Sequence, residues 1–317
     1  MAVVWITGAR GFIGRHVARR FADAGHQVAG LGHGAWTVDS HREWGVSEWR
    51  NGEVSHPNLD ALAQSQGTPE VLIHLAGGSA VGPSFSQPAE DFYRSVMAAG
   101  QLAEWLRLRA PQTRLVMASS AAVYGAGHAR PITESAACTP YSPYGFHKRM
   151  AELLLESYAR NFGLRVAIVR LFSVYGPGLR KQLLWDACTR LAQGAQVLTL
   201  GGTGDELRDW LHVSDVARLM QLASDRASTQ AEVLNGGTGV ATPVCAIADR
   251  LCAAWGTGRT AAFSGNSRPG DPERLVADVS HLQAAGFEPA ERWEAGIDDY
   301  VSWFRAQHTG QSMPGGQ

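Results

Sequence analysis

The chain has 317 residues, 45% of them hydrophobic and 18% charged. That balance belongs to an ordinary compact protein of one large domain or two lobes sharing a core. A net charge of −1 gives no global field to draw nucleic acid or an anionic membrane, so an anionic ligand has to be held by local arginines or backbone amides.

In chain order, "AVVWIT" (2–7) reads as a buried strand running into "GARGFIGRHVARRF". Gly8, Gly11 and Gly14 fall at the strand-to-helix turn. Glycines there allow a tight turn and close backbone approach, and the helix amino end offers free N–H groups to a pyrophosphate. Arg10, Phe12 and Ile13 complete this cofactor-binding turn. The next strand, "HQVAGLG", ends at Gly32 and His33, where a dinucleotide fold usually carries an acid for the adenosine ribose. "NGEV" (51–54) lies where a third strand ends; there Glu53 and the Val54 backbone meet an adenine, or Glu53 is a solvated loop acid. "VLIHLAG" (71–77) is a fourth strand, with Leu75 and Ala76 at its end assigned to the cofactor and Ser79 beyond it to the substrate. A helix over 92–108 leads to the strand "TRLVMASS" (113–120), in which Ser119 or Ser120 hydrogen-bonds a substrate oxygen. A further helix starts near Ser142 and Pro143 and runs to 162, placing Tyr144 and Lys148 one turn apart on one face. A lysine ammonium beside a phenol favours the phenolate and lowers its pKa toward the range of a working acid/base.

Strands of continuous Val/Ile/Leu character separated by amphipathic helices predict a parallel sheet covered on both faces, the Rossmann-like doubly wound α/β pattern. After residue 175 the rhythm changes: "YGPG" breaks the chain, and a helical "QLLWDACTRLAQG" precedes short strands punctuated by Gly and Pro. The expected organisation is a nucleotide-binding domain over 1–174 with a returning segment at about 207–238. A smaller substrate lobe over 175–206 and 239–317 closes on the sheet's carboxyl edge.

The motifs together carry a resemblance. "TGxxGxxG" (7–14), "SSAAVYG" (119–125), "YGFHK" (144–148), "RLFSVYGPG" (170–178), "GGTGDELRDWLHVSDVARL" (201–219), "LNGGTG" (234–239) and "SRPGDPERLVADVSHLQAAGFEP" (267–289) resemble, in order, the extended short-chain dehydrogenase/reductases of the nucleotide-sugar epimerase/dehydratase branch. The resemblance implies that Tyr144 is the catalytic acid/base and that Lys148 lowers its pKa and binds the nicotinamide ribose. It makes Ser120, rather than Ser119, the third catalytic group. It gives the diphosphate of a nucleotide sugar to Arg208 and Arg268, whose guanidinium forks suit phosphate oxygens, and places Ala121 and Ser173 against the substrate. His212 reads as a packed strand residue and the Trp-rich "REWGVSEW" as lobe packing. A homodimer paired through the helices at 92–108 and 143–162 is expected from the same resemblance.

Departures from the family pattern narrow the chemistry. The 4,6-dehydratases carry an Asp-Glu pair after the active hydroxyl; here Ala121 and Ala122 stand there, leaving no acid/base group for loss of water. Hydride and hydroxyl-proton traffic remains: a 4-keto-sugar reductase or a 4-epimerase. Ser95 and Ser173 replace asparagines common in the family, so the sugar pocket is not a copy of the glucose/galactose epimerases. With Gly32 in the acid's place, His33 or Arg42 can face a 2′-phosphate, which favours NADP over NAD and the reductase over the epimerase; Asp39 or a backbone group is the alternative ribose contact. The four cysteines form no C-x-x-C pair and no metal-ligand spacing, and neither a leader nor a spanning segment is legible, so reduced thiols, no bound metal and a cytoplasmic location are expected.

Overall fold

The computed structural model describes residues 1–78, 80–266 and 272–309; Ser79 and Arg268, both assigned above to the substrate, lie outside them. The first half runs β1 (Val3–Thr7), α1 (Phe12–Asp23), β2 (Gln27–Gly32), α2 (Val38–Glu43), β3 (Val46–Asn51), α3 (His56–Gln66), β4 (Val71–His74), α4 (Val81–Ser86), α5 (Pro88–Phe92), α6 (Ala98–Arg109), β5 (Arg114–Ser120), α7 (Pro143–Phe162), β6 (Arg165–Leu171) and β7 (Ser173–Tyr175). There follow α8 (Gln182–Ala192), β8 (Val197–Leu200), β9 (Leu207–Arg208), β10 (Trp210–His212), α9 (Val213–Arg226), β11 (Glu232–Gly236), β12 (Thr242–Pro243), α10 (Val244–Trp255), β13 (Thr260–Phe263), β14 (Arg274–Leu275), α11 (Ser280–Ala284) and α12 (Trp293–Thr309).

Seven strands form one sheet in the order β11-β6-β5-β4-β1-β2-β3, every pairing parallel. Side chains alternate across it, which is why its strands read as unbroken apolar runs. Val4 and Ile6 enter one core with Val17 and Phe21 of α1 and Val216, Leu219 and Met220 of α9. Trp5, between them, enters the other with Leu59 and Leu62 of α3, Leu102 and Leu106 of α6 and Leu155 of α7. The chain returns to the sheet late: β11 docks beside β6 in register from Glu232↔Ala167 to Gly236↔Leu171.

A third core is built by α8, α10 and α12 around Leu184, Leu191, Ile247, Leu251, Ile297 and Phe304. Cys188 and Cys252 are buried in it, and burial pushes the Cys188 thiol up to about 12, so it serves there as a small apolar group.

Two local features bear on the site. Helix α7 begins where the sequence indicates: Ser142 Oγ accepts from Gly145 N at 3.2 Å, Pro143 fills the first turn, and Gly163 closes the helix at φ 74°. The helix expected over 92–108 instead contains a π-helical turn at Tyr93–Met97, between α5 and α6. Such single wide turns recur at functional sites, and this one buries Ser95, whose Oγ accepts from Gly78 N at 3.0 Å.

Candidate active site

Crossovers leave the sheet in opposite senses on either side of β1 and β4, so a crevice opens at their carboxyl ends, the place where open parallel sheets bind ligands. A cavity of about 1930 Å³ lies there. Among the described residues, every one assigned in the sequence to cofactor, substrate or chemistry lines it.

At one end stands the glycine turn. Gly8 has φ +75° and Gly14 packs so closely that a Cβ on it would lie 2.2 Å from Gly8 O. A Cβ on Gly8 would lie 2.9 Å from Ala76 N, which is why the ends of β1 and β4 meet here. Gly11 caps α1 without a side-chain hydrogen bond, so the first N–H groups of α1 face the cavity with Arg10, Phe12 and Ile13. This cradle fits a dinucleotide pyrophosphate.

The carboxyl end of β2 corrects the reasoning about its missing acid. A Cβ on Gly32 would sit 3.0 Å from Cη2 of Trp49 and 3.4 Å from the Gly8 Cα. Trp49, on β3, donates its indole N–H to Gly34 O at 3.0 Å, while Asn51 Oδ1 accepts from Gly34 N at 2.9 Å. Glycine at 32 is thus set by the tryptophan beside it, and its presence no longer argues for a 2′-phosphate. His33, Glu53 and Val54 line the cavity at this end; Arg42 and Asp39, the alternative ribose contacts, sit on α2 and do not. In "REWGVSEW", Trp49 packs against the core of the sheet lobe and the Trp36 ring, and Trp44 and Trp49 also form part of the cavity wall. The proximity of this stretch to β2 comes from strand pairing, Gly32↔Asn51, which no local pattern reveals.

At the centre stand Ser120, Tyr144 and Lys148. Ser119 Oγ is taken by Glu152 at 2.5 Å. Ser120 Oγ accepts from Ala122 N at 3.2 Å and stands close enough to the Tyr144 phenol to draw its pKa down. Lys148 Nζ lies 5.9 Å from the Tyr144 ring centroid and donates to Ala118 O at 3.1 Å. The electrostatics differ from the sequence expectation. Burial pushes the Tyr144 phenol above its ordinary value of 10.0, the Ser120 hydroxyl draws it down, and the Asp91 carboxylate raises it again. Burial also brings Lys148 down to about 8, against the pull of Asp91 and Glu152. Desolvation, not the lysine, dominates the phenol's pKa in the protein alone. Behind Lys148, His74 accepts or donates to Thr7 Oγ1 at 2.7 Å and is held neutral by burial, its pKa near 3.

The remaining wall belongs to the later part of the chain. Ala121, Ser173 and Arg208 line it, as do Arg180 and Lys181, which the sequence reading passed over. A signal was available: the chain has two lysines, Lys148 and Lys181, and both face this cavity. The buried Asp91 and the half-buried His147 were missed too, because their pairing joins α5 to α7 across 56 positions.

The family model for the NAD dependent epimerase/dehydratase family matches residues 4–237. The chain belongs to that family. It is therefore an enzyme of the extended short-chain dehydrogenase/reductase type, with the α/β architecture the motifs imply. The UDP-glucose 4-epimerase of Azospirillum brasilense is 30% identical, over 99% of this chain and 96% of its own length. Among solved structures, the UDP-glucose 4-epimerase of Thermotoga maritima with UDP-glucose superimposes with a TM-score of 0.87 at 25% identity, covering 96% of this chain and 99% of that one. MoeE5, in complex with UDP-glucuronic acid and NAD, has a TM-score of 0.83 at 30% identity, with the same coverage. A similar dTDP-glucose 4,6-dehydratase from Shigella flexneri is 27% identical over 96% of this chain and 92% of its length. No helix among the described residues is long and apolar enough to cross a membrane.

Proposed function

We propose that this enzyme is a UDP-sugar 4-epimerase that keeps and recycles NAD. The carrying observation is the Ser120–Tyr144–Lys148 group with Ala121 and Ala122 directly after the serine, where the dehydratases of the family carry an Asp-Glu pair. Two findings turn the choice from the 4-keto-sugar reductase favoured by sequence to the epimerase. The similar proteins named above include 4-epimerases and a neighbour solved with NAD, and the packing of Trp49 removes the argument for NADP built on Gly32.

In this reading the amino end of α1, with Gly8, Gly11 and Gly14, holds the cofactor pyrophosphate. His33, Glu53 and Val54 meet the adenosine, and Leu75 and Ala76 border the path to the nicotinamide. Bound NAD supplies a hydride acceptor that becomes a hydride donor within one turnover. Tyr144 would take the proton of the sugar C4 hydroxyl and give it back to that same oxygen, the inversion at C4 coming from hydride returned to the opposite face of the carbon, while Ser120 holds the C4 oxygen and Lys148 favours the phenolate. Arg208 clasps the diphosphate and Ala121 and Ser173 border the hexose; the family resemblance assigns Arg268 and Ser79 to the same substrate. The sheet lobe (1–174 and about 207–238) carries the cofactor and the other lobe the sugar nucleotide, in a cytoplasmic enzyme.

A homodimer belongs to the same proposal. Tyr93 and Met97 of the wide turn, and Phe146, Met150 and Leu153 at one-turn spacing on α7, are exposed on helices that pack together. A second copy covering this face would remove that apolar surface from water.

The test needs no added cofactor. Protein purified and denatured is expected to release NAD by mass spectrometry, and native enzyme to interconvert UDP-glucose or UDP-glucuronate with its C4 epimer by NMR. Turnover only on a 4-keto sugar, consuming NADPH each cycle, would establish the reductase instead.

A further inference from the structure

A partly buried Asp–His pair adjoins the Tyr144–Lys148 group and is left unused by the reaction just outlined. Asp91, on α5, is 7% exposed. Its Oδ2 lies 2.6 Å from Nδ1 of His147, the residue before Lys148. The Phe92 ring meets the His147 ring edge-on at 5.6 Å, covering the pair. Asp91 Oδ1 faces the backbone after β4, where a Cβ on Gly78 would stand 1.9 Å from it. The neighbouring Gly77 comes close to Lys148: a Cβ on it would lie 3.5 Å from Nζ and 3.5 Å from Ser95 Oγ. Asp91, Ser95 and Lys148 therefore converge on the Gly77–Gly78 backbone from three elements.

The charged and titratable groups around the Lys148 ammonium are Asp91 from α5, Glu152 and Tyr144 from α7, and His74 from β4. Two guanidiniums already match Glu152: Arg149 at 2.9 Å, and Arg170 at 3.0 and 2.9 Å. His74 is neutral. Among the described residues, no arginine pairs with Asp91, which leaves its field for the lysine. A buried ammonium without a nearby anion tends to lose its proton.

We propose that Asp91, oriented by His147, is a positioning residue of the reaction: the carboxylate that keeps the Lys148 ammonium charged and seated beside Tyr144. Its catalytic consequence rests on the 4-epimerase reading, whereas the effect on Lys148 does not.

With two lysines in the chain, full-length protein labelled with 13Cε-lysine gives two lysine side-chain signals, assigned with a Lys181→Arg variant. Asp91→Asn is expected to lower the Lys148 titration midpoint by about one pH unit or more. The alkaline limb of kcat/KM for UDP-sugar epimerisation is expected to move down with it. Should Asp91→Asn fail to fold, His147→Ala, which releases the carboxylate, is expected to move the midpoint in the same direction. A Lys148 midpoint equal to that of the wild type in the variants that fold overturns the proposal, even where Tm and kcat fall, since a purely structural pair would give that result. A wild-type enzyme that epimerises no UDP-sugar overturns the 4-epimerase reading alone, because the lysine signal is read without substrate.

Discussion

Tyr144 and Lys148 illustrate how burial and charge divide the work of one site. A phenol raised by desolvation is a poor base until a cation faces it, and the ammonium at 5.9 Å from its ring does so only while protonated. Burial holds Lys148 at about 8, below its ordinary 10.5, so its proton is present below that pH and lost above it. We expect kcat/KM to decline as pH rises through about 8, measured with saturating enzyme-bound NAD. The same depression has a stability consequence. Between about 8 and 10.5 the unfolded chain binds more protons at this residue than the folded one, so its destabilising contribution is full below 8 and fades as pH rises. Tyr144→Phe removes the oxygen proposed as acid/base and is expected to lower epimerisation by about 10²–10⁴-fold, with NAD still released on denaturation. Retained turnover in that variant would remove the phenol from the mechanism.

At the scale of elements, the site depends on how two helices begin. Helix α1 starts without a side-chain cap, which leaves its amino end to a ligand, and the glycines let it approach β1 and β4. Gly14→Ala places a Cβ 2.2 Å from Gly8 O. We expect a loss of about 1–3 kcal/mol from overpacking, read as a lower Tm, together with loss of co-purifying nucleotide. Helix α7 begins with a side-chain cap, Ser142 Oγ to Gly145 N, one turn before Lys148. Ser142→Ala is expected to cost about 1 kcal/mol by denaturant unfolding. Its larger effect should fall on kcat, because Tyr144 sits in the first turn that the cap holds. The π-helical turn at Tyr93–Met97 plays a comparable part on the other side, carrying Ser95 to Gly78.

At the scale of the whole molecule, one cavity receives groups from the sheet's carboxyl edge and from the segments that follow β6. Of the apolar face, Tyr93 and Met97 also line the cavity while Phe146, Met150 and Leu153 do not, so the proposed pairing of copies is tested on α7, apart from chemistry within one chain. Met150→Glu with Leu153→Glu is expected to convert a dimer to a monomer in sedimentation velocity while NAD remains bound. A wild-type chain that is monomeric at micromolar concentration would remove the dimer from the proposal.

The amino-acid sequence alone determined the features written in short range. The glycine turn, the Tyr144–Lys148 spacing, the cap of α7 and the apolar strand runs each lie within a few residues, where backbone sterics and helical periodicity act directly. Ala121 and Ala122, next to Ser120, were likewise legible without coordinates. What the tertiary structure decided depends on strands and helices distant in sequence. Strand pairing brought Trp49 over Gly32 and turned an apparent cofactor signal into a packing requirement. Helix packing brought Asp91 to His147, and burial, which no local pattern records, reversed the expected direction of the Tyr144 pKa. Close packing and desolvation are properties of the assembled interior, and at this site they set what the motif residues can do.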